Sequence, residues 1–496
     1  MKRTEKPHHD NNRTKGRKWK KLTSALLCAA LLTSTLAGCS SGSADTAGSG
    51  SARQAAAPQG TPEQASGSLS GTAKAPEGAR VIVFWHCMGG NIGEAVEDIV
   101  NDFNSSQSEI YVQSEYQGAY DDALTKLKAA MPAGNAPDVV QMFELGTRYL
   151  ADSGFAIPIE DMLADDPVVS MEDLEPILVN YYTLDGKFQC MPFNPSTPIM
   201  YYNKTAFSEA GLDSENPPRT FAEIEEIGEK LIKKDGGRIT QYPFALFIYG
   251  WFFENFIAGM GELYADNDNG RTDRATAVVY DQNGSARTIM ETWKRLVDKE
   301  IIVNYGRSGD DCRNAFIAGQ AAMTLASTAN LSAILEGVGD RFEVGTAYLP
   351  MMGGSSQEGG VIIGGGNLWL LDNEDEQKVK DAWEFIKYAT SPEVAAEFSR
   401  KTGYFCANKN AYETEEMKAY LQENPNFQTA IDQLHDTPLN YATQGASLGV
   451  FSEIRATFEQ NMELVLQNGQ SVDEAISAMA ESANEAIANY NATVRQ

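Results

Sequence analysis

Large apolar residues are nearly absent over residues 40–78. Beyond them they return in two textures, short continuous runs and a three-to-four-residue periodicity. Residues 81–85 form an apolar run of the strand type. After Gly89 and Gly90, Ile92, Val96, Ile99, Val100 and Phe103 fall on one helical face. The same reading predicts a strand over 110–116, a helix over 120–130 with Leu124, Leu127 and Lys128 in its register, and a strand over 137–142. Strands alternating with helices imply a mainly parallel sheet whose turns share the rim where α/β proteins take ligands. A second α/β region is expected over 192–327, with helices near 221–233 and 285–299. Strand-like texture over 342–371 and an amphipathic helix over 381–389 predict a return to the first lobe, and 440–496 is helical by pattern. Residues 79–496 exceed one typical core, so two lobes are expected.

The head of the chain changes this picture. Lys2, Arg3, Lys6, Arg13, Lys15, Arg17, Lys18, Lys20 and Lys21 precede an apolar run over 22–36 that is too short and too Ser/Thr-interrupted for a stable transmembrane helix. The run closes on Leu36, Ala37, Gly38 and Cys39, a tetrapeptide that resembles the bacterial lipobox. The resemblance implies a signal peptide over 1–38, lipidation of Cys39, and anchoring to the outer face of the cytoplasmic membrane. An uncleaved anchor and a coincidental cysteine are the competing readings. Residues 39–78 read as a flexible tether, because Ser, Gly, Ala, Pro and Gln bury too little surface to offset ordering entropy. Its mean reach is roughly 35 Å.

The formal net charge is −28. The basic head carries only Glu5 and Asp10 as acids, so the chain beyond it is near −35, a surface that repels nucleic acid and anionic lipid. Beyond Cys39, Cys87, Cys190, Cys312 and Cys406 have no metal-site spacing, and either disulfides or four buried thiols remain open. His86 and His435 are the histidines left there, which disfavours a histidine-based hydrolase or a multi-histidine metal site. Gly364, Gly365 and Gly366 lack the lysine and spacing of a P-loop. No cofactor and no metal is expected.

Four motifs then accumulate in order: 84–90, 134–138, 192–204 (Pro192, Phe193, Asn194, Pro195, Ser196 and on to Lys204) and 362–369. This set, spanning about 81–486, resembles the extracellular solute-binding proteins of ABC importers (family 1), most nearly the members that take glycerol 3-phosphate. The resemblance implies an α/β, two-lobed periplasmic-binding-protein fold of the type II, maltose-binding-protein-like kind. Lobe 1 would comprise about 79–191 and 328–390, and lobe 2 about 192–327 and 391–496. Three hinge crossings would lie near 192–201, 322–327 and 389–392. It implies ligand contacts at Tyr120, Glu144, Ser196, Trp251, Ser327, Gly365, Tyr404 and Arg455, and a monomer that delivers its ligand to the transmembrane subunits of a permease. Arg455 with Ser196, Ser327, Tyr404 and the Gly365 amide would take a phosphate, and Glu144 would accept from glycerol hydroxyls. Pro195, Cys87 and the Phe247, Ile248, Tyr249 triplet depart from the family pattern, at positions that bear on ligand size and head group.

Plainer readings stand beside these. Arg455 could pair on a helix surface with Glu453 or Glu459, Glu144 could favour a helix N-terminus, Gly364 could be a tight strand exit, and Trp85 is assigned to the core. His86 and Cys87 are adjacent on a strand and point to opposite faces, which argues against a nucleophile pair. Competing functions are an oligosaccharide-binding importer component, a surface hydrolase using Glu144 and Glu254, and a sensory or adhesive lipoprotein.

Overall fold

The computed structural model describes residues 75–166, 170–353 and 356–494, all within one compact unit, 67–496. The expected signal peptide, Cys39 and most of the tether lie outside the described residues.

The first sheet has six strands. Arg80–His86 pairs in parallel with Ile110–Tyr116 on one side and Val139–Phe143 on the other. Gly364–Leu371 follows antiparallel and carries Ala156–Ile157 and Met191–Ser196. Val139–Phe143, near the centre, is buried at every position because helices cover both faces. Helix Gly90–Ser106 buries Val96, Ile99, Val100 and Phe103, and Phe103 meets Phe385 of helix Glu376–Ala389 at 5.4 Å. Phe84 reaches the same ring from the sheet at 5.2 Å.

The second sheet, also six-stranded, runs Ile302–Asn304, Arg238–Leu246, Ala321–Ser327, Pro198–Asn203, Val344–Tyr348, with Lys233–Asp235 beside Arg238–Leu246. Helices Phe221–Leu231, Gly250–Gly259 and Ser285–Asp298 cover it through Phe221, Phe244, Phe256 and Trp293. The C-terminal helices Phe451–Gln467 and Val472–Val494 close this side, with Phe458 stacked on Phe253 at 4.2 Å.

The expected strands and helices agree with these elements, but three boundaries move. The stretch 342–371 does not return as one piece to the first lobe. Val344–Tyr348 is hydrogen-bonded to Pro198–Asn203 in the second sheet, and only Gly364–Leu371 joins the first. The crossing expected near 322–327 therefore falls between Tyr348 and Gly364, because Ala321–Ser327 is held on both edges within the second sheet. The crossing expected at 389–392 lies further on: helix Pro392–Thr402 packs against Gly90–Ser106 of the first lobe, whereas helix Gln428–His435 packs on Val344–Tyr348. The crossing in the 192–201 region is where it is expected. Met191–Ser196 belongs to one sheet and Pro198–Asn203 to the other, joined by the fully buried Thr197. The four cysteines are free, buried thiols, and burial pushes Cys87, Cys312 and Cys406 up to about 12. Among the described residues no helix is long and apolar enough to cross a membrane.

Candidate functional site

A cavity of about 390 Å³ opens where the two sheets meet. Seven of the eight residues singled out from the sequence line it: Tyr120, Glu144, Ser196, Trp251, Ser327, Gly365 and Tyr404. The elements explain the convergence. Ile92, Tyr120 and Glu144 follow the three parallel strands of the first sheet, so one rim presents all three. Ser196 ends one hinge strand and is paired with Gly364, placing the glycine run beside it. Ser327 ends a strand of the second sheet opposite Pro198, and its Oγ accepts from the Ala329 amide at 3.2 Å.

One part of the lining is built from uncharged groups. The Cys87 amide donates to Gln141 Oε1 at 2.9 Å, Gln141 Nε2 donates to Asn194 Oδ1 at 2.9 Å, and Asn194 Nδ2 donates to the Tyr120 hydroxyl at 3.1 Å. Because the phenol accepts from Asn194, its own proton is left to donate elsewhere. Tyr120 is held flat on Phe143, the two rings stacked at 5.0 Å and 5°. Burial pushes the Tyr404 phenol up to about 12 and raises that of Tyr120, so both remain donors at neutral pH. Gly365 has φ +91°, and a Cβ there would collide with the Asn194 carbonyl oxygen, so only glycine suits the position. At Gly364 a Cβ would lie 2.5 Å from the Trp251 indole, which packs directly on the bare backbone. The Trp251 Nε1 is buried without a hydrogen-bond partner among the described residues.

The other part is charged. Arg455, on helix Phe451–Gln467, donates from Nε to Glu254 Oε1 at 2.7 Å and from Nη2 to Glu254 Oε2 at 2.8 Å. A third bond, from Nη2 to Glu144 Oε1, is 3.1 Å. The guanidinium is thus committed to two buried carboxylates and is not part of the cavity lining. The guanidinium expected to face a phosphate is thus paired through Nε and Nη2, and the plainer reading is corrected, since its partners are neither Glu453 nor Glu459. Glu459 instead accepts from the Gly250 amide at 2.9 Å. Burial, opposed by Arg455 and reinforced by Glu254, raises Glu144 to about 7. Burial likewise raises Glu254 against the pull of Arg455. For Arg455 burial acts downward, but the two carboxylates outweigh it and keep it protonated. Glu144 lines the cavity and Glu254 does not, so the two carboxylates converge on one cation instead of flanking a substrate.

Several lining residues had no signal strong enough to be singled out from sequence. Phe252, Asp310, Arg313 and Asn330 belong to this group, whereas Phe247 and Tyr249, already marked as departures from the family pattern, do line the cavity. Asn194 and Gln141 orient Tyr120 through contacts that only the paired strands reveal.

Residues 98–429 match the family model described as bacterial extracellular solute-binding protein. The chain belongs to this family. It is 33% identical over 390 residues to the sn-glycerol-3-phosphate-binding periplasmic protein UgpB of Yersinia pestis bv. Antiqua, covering 77% of this chain and 87% of that one. It is also similar to two solved structures. One is UgpB from Mycobacterium tuberculosis in complex with glycerophosphocholine, with TM-score 0.69, 23% identity, and 84% and 100% of the two chains covered. The other is the GacH receptor of Streptomyces glaucescens, solved unliganded and with acarbose, with TM-score 0.69, 19% identity, and 83% and 99% covered. The chain shares the maltose-binding-protein-like fold of these neighbours. Extracellular solute-binding proteins bind small-molecule ligands outside the cytoplasm and deliver them to the permease of an ABC transporter.

Proposed function

We propose that this chain is a non-enzymatic receptor that captures sn-glycerol 3-phosphate or a glycerophosphodiester between its two lobes and hands it to the transmembrane subunits of an importer. One observation carries the reading: Tyr120, Ser196, Ser327, Gly365 and Tyr404, all uncharged donors, share a cavity with the carboxylate of Glu144 and the indole of Trp251. Hydroxyl, phenol and backbone N–H groups satisfy phosphate oxygens with strong, charge-assisted bonds and without a basic surface. Glu144 accepts from glycerol hydroxyls, and Trp251 covers the C–H edge of the carbon chain. Arg455 acts behind Glu144, orienting it and balancing its charge. Relatives with about a third of the sequence in common are named for sn-glycerol 3-phosphate, which supports the same ligand here.

In this reading residues 1–38 are a signal peptide, Cys39 carries the lipid, 39–78 form the tether, and 79–496 work as a monomeric solute-binding domain on the outer face of the membrane. Closure of the lobes buries the ligand and signals occupancy to the permease. Oligosaccharide binding is the second reading, favoured by the aromatic lining of Phe247, Tyr249, Trp251 and Phe252. Calorimetric titration of the purified chain with glycerol 3-phosphate, glycerophosphocholine and maltose separates the two. Saturable binding of a phosphate ligand is expected, and maltose binding without it transfers the assignment to sugars.

A further inference from the structure

The cavity continues past the uncharged donors into a patch made by the second lobe. Its volume of about 390 Å³ falls within the roughly 300–1,000 Å³ of pockets for drug-sized ligands, more than a glycerol phosphate fills. Phe247 lies against the first residue of helix Gly309–Ile317, where a Cβ on Gly309 would be 3.1 Å from its ring, and it stacks on Tyr249 at 5.6 Å and 17°. Asp310 and Arg313 stand one turn apart on that helix, with Arg313 Nη2 3.0 Å from Asp310 Oδ1. Arg313 Nη1 donates to Asn330 Oδ1 at 3.0 Å, and Asn330 sits three residues beyond Ser327. With Arg455 committed to Glu254 and Glu144, Arg313 is the guanidinium in the cavity lining.

We propose that Phe247, Asp310, Arg313 and Asn330 form a head-group subsite that selects a glycerophosphodiester bearing an ammonium and a carboxylate, an amino-acid head group. The inference rests on the glycerol-phosphate reading above. A neutral ion pair at the cavity wall complements a zwitterion: Asp310 accepts from the ammonium, while Arg313 offers the carboxylate the N–H groups that its bonds to Asp310 and Asn330 leave over. A trimethylammonium group has no N–H for Asp310 and meets the like charge of Arg313, and glycerol 3-phosphate leaves the patch to water. The aromatic pair of Phe247 and Tyr249 covers the methylene of the head group.

The test is calorimetry on the purified chain with glycerophosphoserine, glycerophosphocholine and glycerol 3-phosphate, repeated with Arg313→Gln and Asp310→Asn, with melting temperatures as the folding control. Glycerophosphoserine is expected to bind at least tenfold tighter than glycerophosphocholine, and each variant is expected to cut its advantage over glycerol 3-phosphate at least fivefold. Equal affinity for the two diesters in the unaltered chain overturns the proposal without recourse to any variant. Equal loss for all three ligands in the variants overturns it too, because the residues then serve the shared phosphate or the fold. Absence of binding by every phosphate ligand overturns the glycerol-phosphate reading itself, and the subsite with it.

Discussion

The two sides of the cavity solve the same electrostatic problem in opposite ways. Around Tyr120, Ser196, Gly365 and Tyr404 the groups are uncharged, and Asn194 orients the Tyr120 phenol with its proton left to donate. Around Arg455 the groups are paired ions, with Glu254 taking two guanidinium N–H groups and Glu144 a third contact, through Nε and Nη2. An anion entering the first side meets uncharged hydroxyl and amide donors, whereas on the second it would compete with buried carboxylates. A buried arginine in a binding cleft is not thereby an anion site. What counts is which of its N–H groups remain unspent.

The harshest way to probe this contrast is to remove the cation. Arg455→Ala leaves Glu144 and Glu254 buried without a counter-charge and is expected to cost about 3–5 kcal/mol, read by urea denaturation. Replacing all three by apolar residues of similar volume should cost far less, because no unpaired charge is left behind. The pH dependence comes next. A carboxyl held protonated in the fold up to about 7, against an ordinary 4.5, binds more protons folded than unfolded between those values. Its contribution to stability therefore falls as pH rises from 4.5 to about 7, by on the order of 3 kcal/mol. Glu254, raised in the same direction, adds to that slope, and Glu144→Gln is expected to flatten it.

The uncharged side should respond in affinity instead. Tyr404→Phe and Ser196→Ala each remove a donor to a charged ligand and are expected to weaken glycerol 3-phosphate binding by roughly 1.5–3 kcal/mol in calorimetry, with little change in melting temperature. Gly365→Ala affects both properties, since its positive φ strains any side chain by about 1–3 kcal/mol and the added Cβ meets the Asn194 carbonyl oxygen. At the bottom of the scale, a reducing agent should leave the melting temperature unchanged, because all four cysteines of the folded part are free thiols.

Most of the fold was legible in the sequence. The apolar run at 81–85 and the periodicity from Ile92 to Phe103 report burial directly, and burial decides those elements. Sheet membership was not legible, because Val344–Tyr348 and Gly364–Leu371 have the same strand texture and are assigned to different sheets only by their hydrogen-bond partners. The site divides in the same manner. Tyr120 and Glu144 lie beside turns whose place on the rim follows from alternating strands and helices, whereas Ser196 and Gly365 are marked only by the family resemblance. The partners of Arg455 are 201 and 311 residues away in sequence, a separation over which local pattern carries no information. Nothing in the local pattern sets Arg313 and Asp310 apart, and only the cavity gives them a neighbour.

The most direct test of the account is a crystal structure of the chain with glycerol 3-phosphate. Phosphate oxygens are expected within hydrogen-bond distance of the Tyr120, Ser196 and Tyr404 hydroxyls and the Gly365 amide, with Arg455 still bidentate on Glu254. A phosphate seated on the Arg455 guanidinium, with Glu254 displaced, would contradict it.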